Sequence, residues 1–343
     1  METILHSKIL SLVWVLATLP LAAWAEEGGR VTADNFTRAE TDHYFAKFVK
    51  EGGFGKLQHE RAMAPIDKQT VIRMNRDTIY SFGVFDLDAG PVVLTLPDSG
   101  KRYMSVLLIN EDHYNPDMLY APGKFTITKE QVGTRYVALA VRTFANPNDP
   151  ADLQAVHALQ DAVKTEQKAA GKFEVPEWDP ASLKKVRDAL LGLAEASGGI
   201  DSAKMFGRKD QVDPVAHLVG TAAGWGGNPK TAAIYTGLAP NENDGKTAYV
   251  LHFKDVPVDA FWSISVYNKA GFFEKNAKDA YVFNSVTAKP NADGSYTIHF
   301  GGDESGINYL PITPGWNYLV RMYRPQKAIL DGTWKFPEAQ PVK

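Results

Sequence analysis

The chain contains no cysteine. That absence excludes thiol nucleophiles, thiolate metal sites and disulfide staples, so stability must come from packing and hydrogen bonds. At 343 residues the chain is long enough to bury one or two ordinary cores without them. Charge of one sign is also lacking: 37 Lys and Arg against 40 Asp and Glu leave a formal net charge of -3. Neither a basic stripe for nucleic acid nor a polybasic surface for lipid headgroups is indicated. Beyond the first 25 residues no apolar run is long enough to cross a bilayer as a helix. Familiar catalytic signatures are missing too. There is no Gly-x-Ser-x-Gly elbow, no His-Glu-x-x-His, no phosphate loop and no dinucleotide fingerprint. Gly52-Gly53-Phe54-Gly55-Lys56 has the composition of a phosphate loop but the wrong spacing. His43, His59, His157, His217, His252 and His299 are scattered, and each reads as structural.

What is present begins at the N-terminus. Lys8 gives a weakly basic start, an apolar run follows from Ile9 to Ala23, and Ala23-Trp24-Ala25 is a small-x-small cleavage signal. This order is that of a secretory signal peptide, cut after Ala25 to leave a periplasmic or secreted protein beginning near Glu26. Glu2 runs against the pattern, and an uncleaved anchor helix is the alternative.

Periodicity then divides the chain into three parts: an N-terminal β domain over 26–146, a helical connection over 147–223 and a C-terminal β domain over 224–343. Thr41 to Val49 reads as a short leading helix with Tyr44, Phe45, Phe48 and Val49 on one face. Tyr80–Phe85, Val92–Leu96, Tyr103–Asn110 and Tyr136–Arg142 read as strands, rich in β-branched and aromatic residues. In the middle, Asp149-Pro150, Asp179-Pro180 and Asp213-Pro214 each supply an N-cap followed by a first-turn proline. The first helix is expected to run to Gly171; Leu183, Val186, Leu190 and Leu193 form the expected buried stripe of the second. Ala248–Phe253, Phe261–Tyr267, Tyr296–Phe300 and Trp316–Tyr323 complete the strands. Short strands at regular spacing predict an α+β protein, mainly β: two antiparallel sandwich or jelly-roll-like domains joined by helices.

Four clusters carry possible chemistry. In Asn75-Arg76-Asp77-Thr78-Ile79-Tyr80, Arg76 suits a bidentate clamp on a carboxylate or phosphate, with Asp77 as base or acceptor. The competing reading is a structural Arg–Asp network. In Asn110-Glu111-Asp112-His113-Tyr114, Glu111 and His113 share a face if the strand pleat continues, and would then form an acid–base pair. One His and one carboxylate are only half a metal site, so no metal is assigned. Gly224-Trp225-Gly226-Gly227 offers the flat face of Trp225 to a sugar ring, or tucks it into an interface. On the last strand Arg321 and Tyr323 share a face opposite Val320 and Met322. That face is either anion-binding or simply the solvated side of a half-buried strand.

Together these segments resemble a pair of bacterial families. Asn75 to Ser81, Gly100-Lys101-Arg102-Tyr103 and Asn110 to Tyr114 resemble domain of unknown function 1254. Asn243-Asp244-Gly245, Phe261 to Asn268, Gly315-Trp316-Asn317-Tyr318 and Tyr323-Arg324-Pro325 resemble its usual partner, domain of unknown function 1214. The resemblance implies a cell envelope protein of two linked β-sandwiches that forms a homo-oligomer, and it implies no established reaction. Relatives carry two cysteines where this chain has Asp303 and Tyr309. The leading expectation is an exported protein that binds a small polar or anionic ligand, a saccharide or carboxylate. Asn75, Arg76, Asp77 and Tyr80 would hold it, aided by Trp225, Arg321 and Tyr323. The alternatives are a hydrolase or lyase using Asp77 or Glu111 with His113, and a structural envelope scaffold. No cofactor is indicated.

Overall fold

A computed structural model describes residues 29–69 and 72–342. The expected signal segment lies outside the described residues. The protein is an α+β structure, 22% helical and 27% strand.

The N-terminal part begins with α1 (Phe36–Lys50), five residues earlier than periodicity alone suggested. Eight strands follow: β1 (Gln58–His59), β2 (Thr78–Asp86), β3 (Val92–Leu96), β4 (Met104–Asn110), β5 (Met118–Tyr120), β6 (Gly123–Ile127), β7 (Tyr136–Phe144) and β8 (Lys164–Glu166). They form a five-stranded sheet, β1-β2-β7-β4-β5, and a three-stranded sheet, β6-β3-β8. Val92, Leu94 and Leu96 pack against Val106, Leu108, Val137, Leu139 and Val141 in the core between the two. Alternation then sends Val84, Leu107, Ile109, Ala138 and Ala140 to the opposite face of the larger sheet, where Phe45 and Phe48 of α1 cover them. A short helix, α2 (Lys129–Val132), sits before β7.

The aspartate–proline signals open three helices: α3 (Pro150–Ala162), α4 (Pro180–Ala196) and α5 (Pro214–Gly224). The carboxylates of Asp149, Asp179 and Asp213 accept the first free backbone N–H groups of each. α3 stops at Ala162 rather than Gly171, because the chain then extends as β8 and pairs with β3. Leu183 and Leu190 of α4 pack with Phe36, Ala39 and Val219, joining α1, α4 and α5. Leu193, expected in the same buried stripe, is 46% exposed; the packed face continues from Leu190 through Ala194 instead.

The C-terminal part contains β9 (Ala233–Leu238), β10 (Tyr249–Phe253), β11 (Trp262–Tyr267), β12 (Val282–Asn284), β13 (Tyr296–Phe300), β14 (Tyr309–Leu310), β15 (Asn317–Tyr323), α6 (Lys327–Leu330) and β16 (Gln340–Pro341). Two four-stranded sheets result, β14-β13-β10-β16 and β12-β11-β15-β9. The β13–β14 pair is parallel, an exception to the expected antiparallel pattern. Leu251, Ile298 and Phe300 of one sheet meet Ile264, Trp316, Tyr318 and Val320 across the core.

Asp42 of α1 adds a pH dependence to this packing. One carboxylate oxygen accepts the indole N–H of Trp178 at 2.8 Å; the other is buried and unpaired among the described residues. Burial, reinforced by nearby Glu111, raises its pKa to about 6. The unfolded chain ionises this carboxyl near pH 4, so the native state holds the extra proton between about 4 and 6. Its contribution to stability is full below pH 4 and lost as pH rises through about 6. Asp42→Asn keeps an oxygen for Trp178 and removes the charge. It is expected to raise stability by roughly 2 kcal/mol at pH 7.5 and to change little at pH 4. Thermal melts at the two pH values check this, and equal shifts at both would refute it.

Candidate functional site

Backbone register builds two polar rows. On the larger N-terminal sheet, Tyr80 pairs with Arg142, Arg142 with Ser105 and Ser105 with Tyr120, so the four side chains share a face. On the C-terminal sheet, Tyr235 pairs with Arg321, Arg321 with Ser263 and Ser263 with Asn284. These rows lie on the faces turned away from the two sandwich cores. The strand face read as either anion-binding or solvated is sealed: Ser263 and Ser265 are fully buried, Arg321 is 3% exposed and Tyr323 1%. Its cover is the N-terminal domain. Phe261 and Tyr323 stack together and pack against Tyr103, and Phe261 also meets Phe144.

Part of this interface is a satisfied lock. Asp77, fully buried, accepts Ser263 Oγ at 2.6 Å and Asn284 Nδ2 at 3.0 Å. Burial raises its pKa, and Arg321, Ser263 and Asn284 oppose that shift. Arg321 donates to Ser265 Oγ, to Tyr267 Oη and to the carbonyl oxygens of Arg73 and Met74. Asp77 and Arg321 therefore bind one domain to the other.

The adjoining part is unsatisfied. Arg142 is 7% exposed. Its Nη2 donates to Gly226 O at 2.6 Å, and its guanidinium lies 5.5 Å from the Tyr80 ring centroid. Its Nη1 has no hydrogen-bond partner among the described residues; the hydroxyls of Tyr103 and Ser105 face each other without a hydrogen bond of ordinary geometry. Among the described ion pairs none involves Arg142. Asn75 orients the neighbouring phenols. Its Oδ1 accepts the Asp77 N–H at 2.7 Å, which identifies the other end as the amide nitrogen. That nitrogen lies 3.1 Å from Tyr80 Oη, 3.0 Å from Tyr323 Oη and 3.3 Å from Thr78 Oγ1; with its two protons given to the nearer phenol oxygens, both phenol protons are free to donate elsewhere. Burial pushes the phenols of Tyr103, Tyr235 and Tyr323 up, so they remain neutral donors. The arrangement is a buried cation ringed by O–H donors, which is the chemistry of an anion site. A cleft of about 360 Å³ reaches this row at Tyr120, with Arg324 also in its wall; Arg142, Tyr80, Tyr103, Ser105 and Tyr323 do not line it.

Of the residues singled out in sequence, Asn75, Tyr80 and Tyr323 converge here, with Arg321 and Asp77 directly behind them. Arg76 does not. Its guanidinium donates to Ala64 O and lies 5.4 Å from the Tyr281 ring centroid. Glu111 and His113 do not form a pair, because β4 ends at Asn110 and His113 adopts a φ of 60°. Glu111 accepts Tyr136 N–H and Arg38. His113, fully buried, accepts Gly226 N–H at Nε2, so its Nδ1–H donates to Thr221 Oγ1. Burial and His217 hold its pKa well below the usual value. Trp225 is stacked between Tyr44 and His113 rather than presented to a ligand. Arg142, Tyr103, Ser105, Tyr120 and Tyr235 were not singled out. The available signal was an arginine inside Tyr136–Phe144, an otherwise uncharged strand buried throughout. Among the described residues no group of three or more His, Asp or Glu could hold a metal.

These placements give two neighbours unequal weight in the fold. Asp77→Ala leaves Ser263 and Asn284 without an acceptor in a closed interface and is expected to cost at least about 3 kcal/mol. Arg76→Ala, at a half-buried carbonyl contact, is expected to cost about 1 kcal/mol or less. Urea titrations of the two variants compare them; a costlier Arg76 variant would refute the assignment.

Comparison with known proteins places the chain. Residues 54–167 match DUF1254 and residues 232–327 match DUF1214, both described as proteins of unknown function. The chain thus carries both domains, in that order. The crystal structure of the VPA0106 protein from Vibrio parahaemolyticus shares the fold: 19% identity, TM-score 0.66, 90% of this chain covered and 98% of that one. An uncharacterised protein from Burkholderia cenocepacia is more distant, with 14% identity, TM-score 0.51 and coverage of 91% and 87%. No curated protein matches.

Proposed function

We propose that this paired DUF1254–DUF1214 protein binds a small anionic ligand at the domain interface. A carboxylate would sit on Arg142 Nη1, with the hydroxyls of Tyr80, Tyr323, Tyr103 and Ser105 turned toward it. One observation carries the reading: a buried guanidinium with an unpaired nitrogen, in a ring of donors, without a carboxylate partner among the described residues. An isolated buried charge is expensive, and a fold that needed only packing would have an apolar residue there. Arg321, a few strands away, shows the contrast, since all its contacts are with the fold itself. The acid–base alternative loses support because Glu111 and His113 are engaged separately.

Export belongs to the same proposal. The basic, apolar and small-x-small order of the first 25 residues supports it, and the absence of cysteine is compatible with an oxidising compartment.

Thermal shift with acetate, benzoate and glutarate tests the binding reading. Each anion that binds only the native state must raise the melting temperature by mass action. Arg142→Met removes the charge while keeping the volume. It is expected to melt at or above the wild type without ligand, and to lose the carboxylate-dependent rise. Tyr323→Phe is expected to weaken binding about tenfold, the loss of one buried hydrogen bond to a charged group. A carboxylate-dependent rise that survives in Arg142→Met would overturn the proposal. So would a flat response to every anion combined with a large melting drop in that variant, the mark of a structural arginine.

A further inference from the structure

We infer that the ligand is a hydroxylated carboxylic acid of the sugar-acid class, its carboxylate on Arg142 and its hydroxyl-bearing body in the cleft beyond Tyr120. The inference rests on the anion-binding reading above and adds the chemistry of the rest of the molecule.

The cleft adjoins the buried cluster through one residue. Tyr120 lines it and stands in the cross-strand row with Ser105 and Arg142. Its ring also carries the guanidinium of Arg324, 5.1 Å from the centroid, on the cleft side. Burial raises the Tyr120 phenol pKa, while both Arg324 and Arg142 act on it in the opposite sense, which fits a position between the two cations. A ligand whose head reaches Arg142 and whose body passes Tyr120 would therefore occupy the cleft.

The cleft wall says what that body is. Asn115 lines the cleft and is only 3% exposed, yet neither its Nδ2 nor its Oδ1 has a hydrogen-bond partner among the described residues. An amide offers a donor and an acceptor side by side. Sugar hydroxyls, which both accept and donate, satisfy the two together; an alkyl chain satisfies neither. Asp117 and Asp259 supply further acceptors on the same wall, and Arg208 and Gln211 further donors. Asp210 pairs with Arg208, and Asp117 and Asp259 stand against Arg324, so the cleft has no excess of cationic side chains to attract a second anion. Its volume of about 360 Å³ is in the range of small-molecule sites. Neutral, hydroxyl-rich chemistry is what these side chains match, beside a single anionic end.

Isothermal titration of the full chain with glucuronate, glucose and hexanoate tests this. Glucuronate carries both features, glucose only the hydroxyls and hexanoate only the carboxylate. Glucuronate is expected to bind at least about tenfold more tightly than either, because a site built for hydroxyls discriminates against analogues that lack them. Asn115→Leu is expected to reduce glucuronate affinity about tenfold and to leave hexanoate unchanged or improved. Should that variant not fold, the wild-type ranking alone decides. Hexanoate binding as tightly as glucuronate, with Arg142→Met abolishing both, would overturn the sugar-acid inference and leave the anion reading intact. Glucose binding as tightly as glucuronate, unchanged in Arg142→Met, would overturn both, as would three silent titrations.

Discussion

The structure depends on sealing a polar sheet face against a second domain. In an ordinary antiparallel sandwich one face of each sheet packs in the core and the other meets water. Here the outer face of β9, β11, β12 and β15 closes over the end of the larger N-terminal sheet where β2 and β4 begin and β7 finishes. Every polar group on either face must then find a partner inside the protein or remain unsatisfied. Asp77, Ser263, Asn284 and Arg321 find theirs across the joint, and that network fixes how the domains meet. Arg142 does not, and the difference separates the part of the interface whose hydrogen bonds are complete from the part where capacity is unused.

The position of Arg142 is itself built. Gly226, at a φ of 77°, presents both sides of its backbone to this region. Its carbonyl accepts Arg142 Nη2, and its N–H donates to His113 Nε2. His113 is clamped in turn by Thr221, whose hydroxyl donates to His217 O one turn back in α5. The stack Tyr44–Trp225–His113 anchors this loop to α1. The histidine and tryptophan that suggested chemistry in the sequence therefore act as positioning residues. They hold the loop that directs one nitrogen of the guanidinium into the peptide and leaves the other open.

Much of the framework was legible because it is local. Val92–Leu96 and Tyr296–Phe300 have the bounds that their alternation predicts, and the three aspartate–proline caps start α3, α4 and α5 where expected. Alternation also placed Arg321 and Tyr323 on one face. What it could not supply was the cover on that face, which comes from residues about 180 to 250 positions away; Asn75 with Tyr323 and Asp77 with Ser263 are examples. Arg76 and Asp77 looked like one functional unit because they are adjacent. They lie in the bend just before β2, where the Asp77 N–H is held by Asn75 Oδ1; Asp77 entered the interface and Arg76 turned to the carbonyl of Ala64. β9, with five of its six residues only partly buried or exposed, carries too weak a pattern to have been seen. Yet it places Tyr235 beside Arg321.

An unpaired buried cation would ordinarily be removed by selection for stability, since most surroundings favour an apolar replacement of similar size. Two large cores lie on either side of this one, between β3 and the larger N-terminal sheet and between the two C-terminal sheets. They allow the fold to carry a local cost without unfolding. The cost falls on one guanidinium nitrogen and on nearby polar groups, among them the hydroxyls of Tyr103 and Ser105 and the amide of Asn115, beside the completed network of Asp77 and Arg321. Strain so localised is the pattern expected when surrounding structure over-determines a site that needs open hydrogen-bonding capacity. A purely structural joint would gain by closing that capacity with a carboxylate or an apolar side chain. The fold leaves it unpaired, with Tyr120 joining the row to a polar cleft.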